Sequence, residues 1–225
     1  DKKIGTAPVM TRKIQLNTRI GVDFDNTIAG YDRLFANLAN ERGLDTTDLT
    51  GKREIRDALR RRKGGEVEWQ KLQALAYGER MPEAELIPGF DRFMAICHDL
   101  GVSLSIVSHK TRHSNQGNCG LDLRQAALGW MKAHCFFDHG SGLSPDDVHF
   151  GNTRHAKISR LVQLSCTVFI DDLIEVFSEP VFPTSIEAIL YDPHADARLV
   201  ATPQGRLIHR YPQWNQIAEH VFGRT

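Results

Sequence analysis

The stretch RIGVDFDNTIAG, Arg19 to Gly30, decides the fold. A short apolar run ends in Asp23, and a second aspartate, Asp25, follows where Asn26, Thr27 and Gly30 signal a turn. Residues two apart on a strand share a face, so both carboxylates can enter one crevice at the strand's carboxyl end. Two close negative charges raise one pKa, leaving one acid protonated as a donor while the other stays a nucleophile. The competing reading makes Asp25 and Asn26 an Asx turn and Asp23 a helix cap.

Beyond this stretch, apolar runs alternate with helical segments. The runs are RIGVDF (19–24), VSLSIVS (102–108), VHF (148–150), CTVFIDD (166–172) and EAILYD (187–192). Between them, LDLRQAALGWMKAHC and AKISRLVQL place apolar residues three and four apart, as a helix does. The alternation predicts an α/β fold, a doubly wound parallel sheet with helices on both faces. From Tyr31 to Leu86 the sequence offers no strand. YDRLFANLANERG, KREIRDALRRRK and EVEWQKLQALAYG are three short helices, each with a glycine stop, and LIPGF marks the return to the core. Residues 12–30 and 87–225 are therefore read as the core and 31–86 as a helical insertion. Such an insertion hangs over the carboxyl end of the first strand, where open parallel sheets bind ligands.

The 225 residues suffice for one substantial core with a smaller insertion. Lys and Arg number 28, as do Asp and Glu, so no global charge points to a nucleic-acid polymer or a membrane, and an anionic substrate must be held locally. No run approaches the roughly 18 to 20 apolar residues of a membrane helix, and DKKIGTAPVM lacks the apolar segment of a secretory signal. The first methionine is Met10, so residues 1–9 are treated as an added or trimmed end and kept out of the fold reading. Cys97, Cys119, Cys135 and Cys166 show no paired spacing and read as reduced thiols of a cytoplasmic protein. Nothing specifies an oligomeric state.

The later strands weigh on the two readings of the aspartates. The apolar run of LSIVSHK ends in Ser108, that of TVFIDD ends in Asp171 and Asp172, and Lys157 opens a helix just before that last strand. A parallel sheet brings all these ends to one edge. Several carboxylates buried together require a cation, and an oxygen-only donor set with room for water suits Mg²⁺.

In this order the residues resemble the haloacid dehalogenase superfamily: Asp23-Phe24-Asp25-Asn26-Thr27 its D-x-D-x-T motif, Ser108 its second motif, Lys157 its third and Asp171-Asp172 its acidic fourth. The resemblance spans most of the chain and implies that 31–86 is a mobile helical cap. It implies that Asp23 is the nucleophile forming an aspartyl-phosphate, and that Asp25 is the acid for the leaving oxygen and then the base for water. Thr27 would fix the turn, Ser108 would donate to a phosphoryl oxygen, and Lys157 would neutralise that group and hold Asp23. Mg²⁺ would take a carboxylate oxygen of Asp23, the backbone carbonyl of Asp25, and Asp172 directly with Asp171 behind it, or the last two exchanged. Members that cleave carbon–halogen bonds lack the acid at the position of Asp25, so the implied activity is phosphomonoester hydrolysis. Thirteen residues separate Lys157 from Asp171, a compact spacing similar to the nucleotidase-type branch. The implied substrate is a small phosphorylated metabolite, a nucleotide first and a sugar phosphate second. The same residues would serve a phosphotransferase or mutase, and the scaffold also occurs as an idle binding or regulatory module.

His109, Lys110, Arg112 and His113 in SHKTRHSNQGNCG could reach substrate oxygens or belong to a solvated linker. RRRK (60–63) reads as a solvated helix end rather than an anion site. His109 with His113, and His134 with His139, lack the partners of a zinc site. Trp69, Leu72, Leu75 and Ala76 form the core stripe of the insertion, and Tyr31 and Phe35 either touch substrate or pack the hinge.

Overall fold

The computed structural model describes residues 17–49, 51–113 and 121–223; Cys119 and the N-terminal segment before Asn17 lie outside them. In chain order the elements are β1 (Arg19–Val22), β2 (Ala29–Gly30), α1 (Asp32–Asn40), α2 (Lys52–Arg60), α3 (Gly65–Tyr77), β3 (Glu85–Leu86), α4 (Phe90–Asp99), β4 (Ser103–His109), α5 (Leu123–Ala133), β5 (Val148–Gly151), α6 (Arg154–Gln163), β6 (Val168–Asp171), α7 (Ile174–Phe177), β7 (Glu187–Tyr191), β8 (Arg198–Ala201), β9 (Leu207–Tyr211) and α8 (Trp214–Phe222). Seven strands form one sheet in the order β5-β4-β1-β6-β7-β9-β8, parallel except for β8, which runs antiparallel to β9 at the edge. This is the α/β architecture that the alternating runs predict. No helix among the described residues is long and apolar enough to cross a membrane.

Period-two alternation splits the core between the two faces of the sheet. Val168, Ile170, Ile189 and Tyr191 pack with Phe93 of α4, Trp130 of α5 and Ile217 of α8. Their neighbours Phe169, Ala188 and Leu190 face the other way, against Ile158 and Leu161 of α6 and Val176 and Phe177 of α7. On this second face α6 comes so close to β1 that a Cβ on Gly21 would stand 2.7 Å from Leu161 Cδ2 and 3.0 Å from Phe169 Cδ2. A glycine there lets the helix that carries Lys157 lie down on the strand that delivers Asp23.

The reading of 31–86 as free of strands is corrected at its end. Glu85–Leu86 pairs antiparallel with Ala29–Gly30, so both ends of the insertion are laced into one two-stranded neck. Two residues are too short to carry an alternation signal, and their pairing partner lies far off in sequence. The three helices α1 to α3 do form, and their apolar faces, with Leu38, Ile55, Trp69 and Leu72 buried, belong to the same apolar cluster as the first face of the sheet. Phe35 stacks on Trp69 at 4.9 Å, which places it in this packing. The strands β8 and β9 and helix α8 are additions: Arg198–Ala201 is largely exposed and Leu207–Tyr211 is interrupted by His209 and Arg210, so neither shows a clean apolar run.

Candidate active site

The turn after β1 is built by its backbone. Asp23 N–H still donates to Ile170 of β6 at 2.9 Å, then Ile28 and Ala29 both donate to the Phe24 carbonyl, at 2.9 and 3.0 Å. Asn26 occupies the left-handed region at φ 61°, which asparagine tolerates better than most side-chain-bearing residues. Trp214 of α8 fixes the turn from below by donating its indole N–H to the Thr27 carbonyl at 3.0 Å. No helix follows Asp23, so it caps nothing. The Asp25 carboxylate is engaged with Lys110 and Tyr31 rather than with its own backbone, which overturns the Asx-turn reading.

Lys157 is the hinge of the charge arrangement. It sits on α6, whose first turn is capped by the Thr153 hydroxyl accepting from Ala156 N–H. Its Nζ donates to Asp23 Oδ1 at 2.6 Å and to Asp171 Oδ2 at 2.5 Å, all three groups being buried. Burial alone would lower the lysine's pKa, but the carboxylates of Asp171 and Asp23 outweigh it and hold the ammonium charged. The second oxygen of Asp171 accepts the Leu173 N–H at 2.9 Å, so this carboxylate is committed on both sides. Burial nevertheless pushes the Asp171 pKa up to about 6. Burial, followed by the charges of Asp171 and Asp23, raises Asp172 well above the usual carboxylate range.

Carboxylate oxygens of Asp23, Asp171 and Asp172 lie within 4.8 Å of one another. Lys157 supplies one positive charge against three negative ones, and the donors are all oxygens. Both facts fit a hard divalent cation. Asp172 lines a cavity of about 530 Å³ together with Asp23, Asp25, Ser108, His109, Lys110 and Lys157, whereas Asp171 does not. Thr27 is fully buried beneath the turn. Its hydroxyl lies 3.4 Å from Asp172 Oδ1, so it reaches the cavity only through that residue. Ser108, the penultimate residue of β4, has its hydroxyl buried, and no hydrogen-bond partner for it occurs among the described residues. A buried hydroxyl without a partner costs on the order of 1–3 kcal/mol, a penalty that an anionic oxygen in the cavity would remove.

The residues after Ser108 divide. Lys110 turns inward, 4% exposed, and donates to both oxygens of Asp25 at 2.9 and 2.8 Å; the linker reading is corrected for this residue. His109 stays exposed at the rim with Nε2 3.0 Å from the Asn152 carbonyl, and Arg112 and His113 are exposed. Residues 114–120 lie outside the described residues. Tyr31 follows neither of its two expected uses alone: it is buried, and its hydroxyl donates to Asp25 Oδ1 at 2.6 Å. Burial and the Asp25 charge keep that phenol protonated by raising its pKa.

The insertion contributes wall residues that were not anticipated, Lys52 and Tyr77 among them. Lys52, the first residue of α2, donates to the Tyr77 hydroxyl at 2.5 Å, and both line the cavity. Burial would lower the Lys52 pKa, but Tyr77, Asp172 and Asp25 outweigh it and raise the value. A lysine at a helix N-terminus opposes the helix dipole, and that conflict was the available signal. Trp69, Leu72 and Ala76 are buried packing residues, as their spacing predicts, and RRRK is exposed.

Among solved structures, the chain is similar to a HAD hydrolase of family IA, variant 3, from Entamoeba histolytica, with a TM-score of 0.52 and 11% identity over 92% of this chain and 97% of that one. Its fold is that of the haloacid dehalogenase hydrolases. An L-2-haloacid dehalogenase, RSc1362, aligns at 14% identity over 91% of this chain and 98% of that one, TM-score 0.47. A phosphoserine phosphohydrolase-like protein from Francisella tularensis aligns at 13% identity over 91% and 99%, TM-score 0.47. No protein-family model and no curated protein matches the sequence. Identity this low ties the chain to a fold alone.

Proposed function

We propose that the protein is a Mg²⁺-dependent phosphomonoesterase that hydrolyses a small phosphorylated metabolite through an aspartyl-phosphate on Asp23. The observation that carries this reading is the convergence, around one cavity, of a Lys157-held carboxylate at Asp23, an acid at Asp25 and the partnerless buried hydroxyl of Ser108.

Asp23 attacks phosphorus and the ester bond breaks as Asp25, having taken up a proton from the entering phosphomonoester monoanion, passes it to the departing oxygen. Tyr31 and Lys110 hold the Asp25 side chain over the cavity for this step. Water then attacks the phosphorus of the aspartyl-phosphate while Asp25 takes its proton, releasing inorganic phosphate and restoring Asp23. Ser108 and Lys157 donate to the phosphoryl oxygens as charge develops on them. Asp23, Asp172 and the Asp25 carbonyl would hold Mg²⁺, with Asp171, tied to Lys157 and Leu173, as the supporting carboxylate. Bound there, the cation supplies charge neutralisation for the carboxylate–phosphate encounter.

Asp25 favours phosphoester over carbon–halogen cleavage, because a halide leaves without needing a proton. The cavity suits a small ester: about 530 Å³ holds a nucleoside monophosphate or a sugar phosphate, and Gln70, Gln73 and Lys52 give it a polar outer wall. With α1 to α3 roofing the site, a polymer is a poor substrate. The test is phosphate release from nucleotides, sugar phosphates and an aryl phosphate, with Mg²⁺ and then with EDTA. Mg²⁺-dependent release concentrated in one class supports the reading, and no release from any ester by a chain that binds Mg²⁺ rejects it.

A further inference from the structure

A second group of donors converges on the face of the sheet that α8 covers, on β7 and β9. Glu187 opens β7, His209 lies in β9 and His220 lies near the end of α8. His209 pairs in register with Ile189, so Glu187, two residues earlier on β7, stands on the same side of the neighbouring strand. Helix α8 returns across that side and brings His220 onto the pair. His220 Nε2 lies 2.7 Å from Glu187 Oε1, and His209 Nε2 lies 3.9 Å from the same oxygen. The two imidazole centroids are 4.2 Å apart, and one donor atom from each of the three residues falls within 4.8 Å of the others. The Tyr211 hydroxyl sits 2.9 Å from His220 Nδ1, leaving Nε2 as the nitrogen aimed at the group.

We propose that Glu187, His209 and His220 bind one divalent ion of the Zn²⁺ class, which ties α8 to β7 and β9. Two imidazole nitrogens and one carboxylate oxygen form a borderline-soft set that suits Zn²⁺, whereas Mg²⁺ prefers oxygen donors in an octahedron. Two ligands of a tetrahedral Zn²⁺ stand about 3.3 Å apart, and the present 2.7 and 3.9 Å straddle that spacing. Three protein ligands would leave one coordination position for water or a fourth donor. All three groups are partly exposed, so an ion can reach them. The hydroxyl on His220 Nδ1 is the outer contact that commonly orients a histidine ligand. Neither histidine pair considered from spacing contributes, because the site is assembled across three elements.

The full chain, stripped with EDTA and dialysed, is titrated calorimetrically with ZnCl₂ in excess Mg²⁺, which occupies the aspartate site. One Zn²⁺ per chain is expected, with affinity weakened more than about 100-fold in His209→Gln and in His220→Gln, and roughly 10- to 100-fold in Tyr211→Phe. Asp172→Asn should retain the binding. NMR of the unaltered chain should show Zn²⁺ shifting the ring resonances of His209 and His220, and this readout decides the matter if the glutamine variants fail to fold. No Zn²⁺ binding, binding indifferent to the histidine variants, binding lost in Asp172→Asn, or unmoved ring resonances each overturns the site and leaves the three residues as a hydrogen-bonded ion pair.

Discussion

The two donor clusters of this sheet differ in composition, burial and charge balance. At the carboxyl ends of β1 and β6, Asp23, Asp171 and Asp172 offer only oxygens, are largely buried, and rely on one buried ammonium for partial neutralisation. Across the first face, Glu187, His209 and His220 offer two nitrogens, are partly exposed, and can balance charge simply by protonation. The first arrangement stores repulsion that a hard cation can relieve. The second is comfortable without a ligand and gains cross-linking when an ion enters. Burial, more than the mere presence of acids, sets the two clusters apart: Asp171 and Asp172 have raised pKa values because they are desolvated together.

The largest expected effect breaks the reactive side outright. Asp23→Asn should lower phosphate release by roughly 10⁴-fold or more while leaving the circular dichroism and melting curve intact, since it removes the nucleophile and also a buried charge. An active Asp23→Asn enzyme contradicts the mechanism. Next comes Lys157→Met, which leaves two buried carboxylates without their cation. Denaturant unfolding without metal should show a loss of about 3–5 kcal/mol, and activity should fall with it. Unchanged stability would mean that the carboxylates do not depend on the lysine.

Asp25→Asn sharpens the assignment of roles. Release from alkyl phosphates should drop by about 10² to 10⁴, and release from aryl phosphates, whose leaving groups need little protonation, by much less. Equal losses for both esters remove Asp25 from the acid role.

The smallest effect concerns pH. Folding raises the Asp171 pKa from 3.8 to about 6 and raises Asp172 as well, so folding favours their protonated forms. The stability linked to them is complete below the ordinary carboxylate range and is lost as pH climbs through about 6. In metal-free protein, the melting temperature of Asp172→Asn should therefore gain on that of the unaltered chain as pH rises across this window, and Mg²⁺ should close the gap by stabilising the unaltered chain. A difference that stays flat with pH, or that shrinks as pH rises, is the opposite result.

Much of the carboxyl edge was legible because parallel-sheet geometry is a strong rule: once β1, β4 and β6 are recognised, Asp23, Ser108 and Asp171-Asp172 must meet, whatever lies between them. Lys157 was legible for the same reason, from a helix that packs beside β1. Lys110 and Tyr31 were visible as residues but not as partners of Asp25. Their direction depends on a loop that turns inward and on a tyrosine buried beneath the insertion, and neither leaves a periodic trace.

Alternation and helical spacing are local properties of the chain, so the sequence alone was enough for the runs that become β1, β4, β5, β6 and β7, for the helices α1 to α3, α5 and α6, and for the edge at which the acids gather. Only the tertiary structure decided which cations answer which carboxylates, that Lys52 and Tyr77 wall the cavity, that β2 and β3 close the neck, and that Glu187, His209 and His220 stand together. Those outcomes depend on contacts between residues far apart in sequence, where burial and distance set the energy and no short pattern records them.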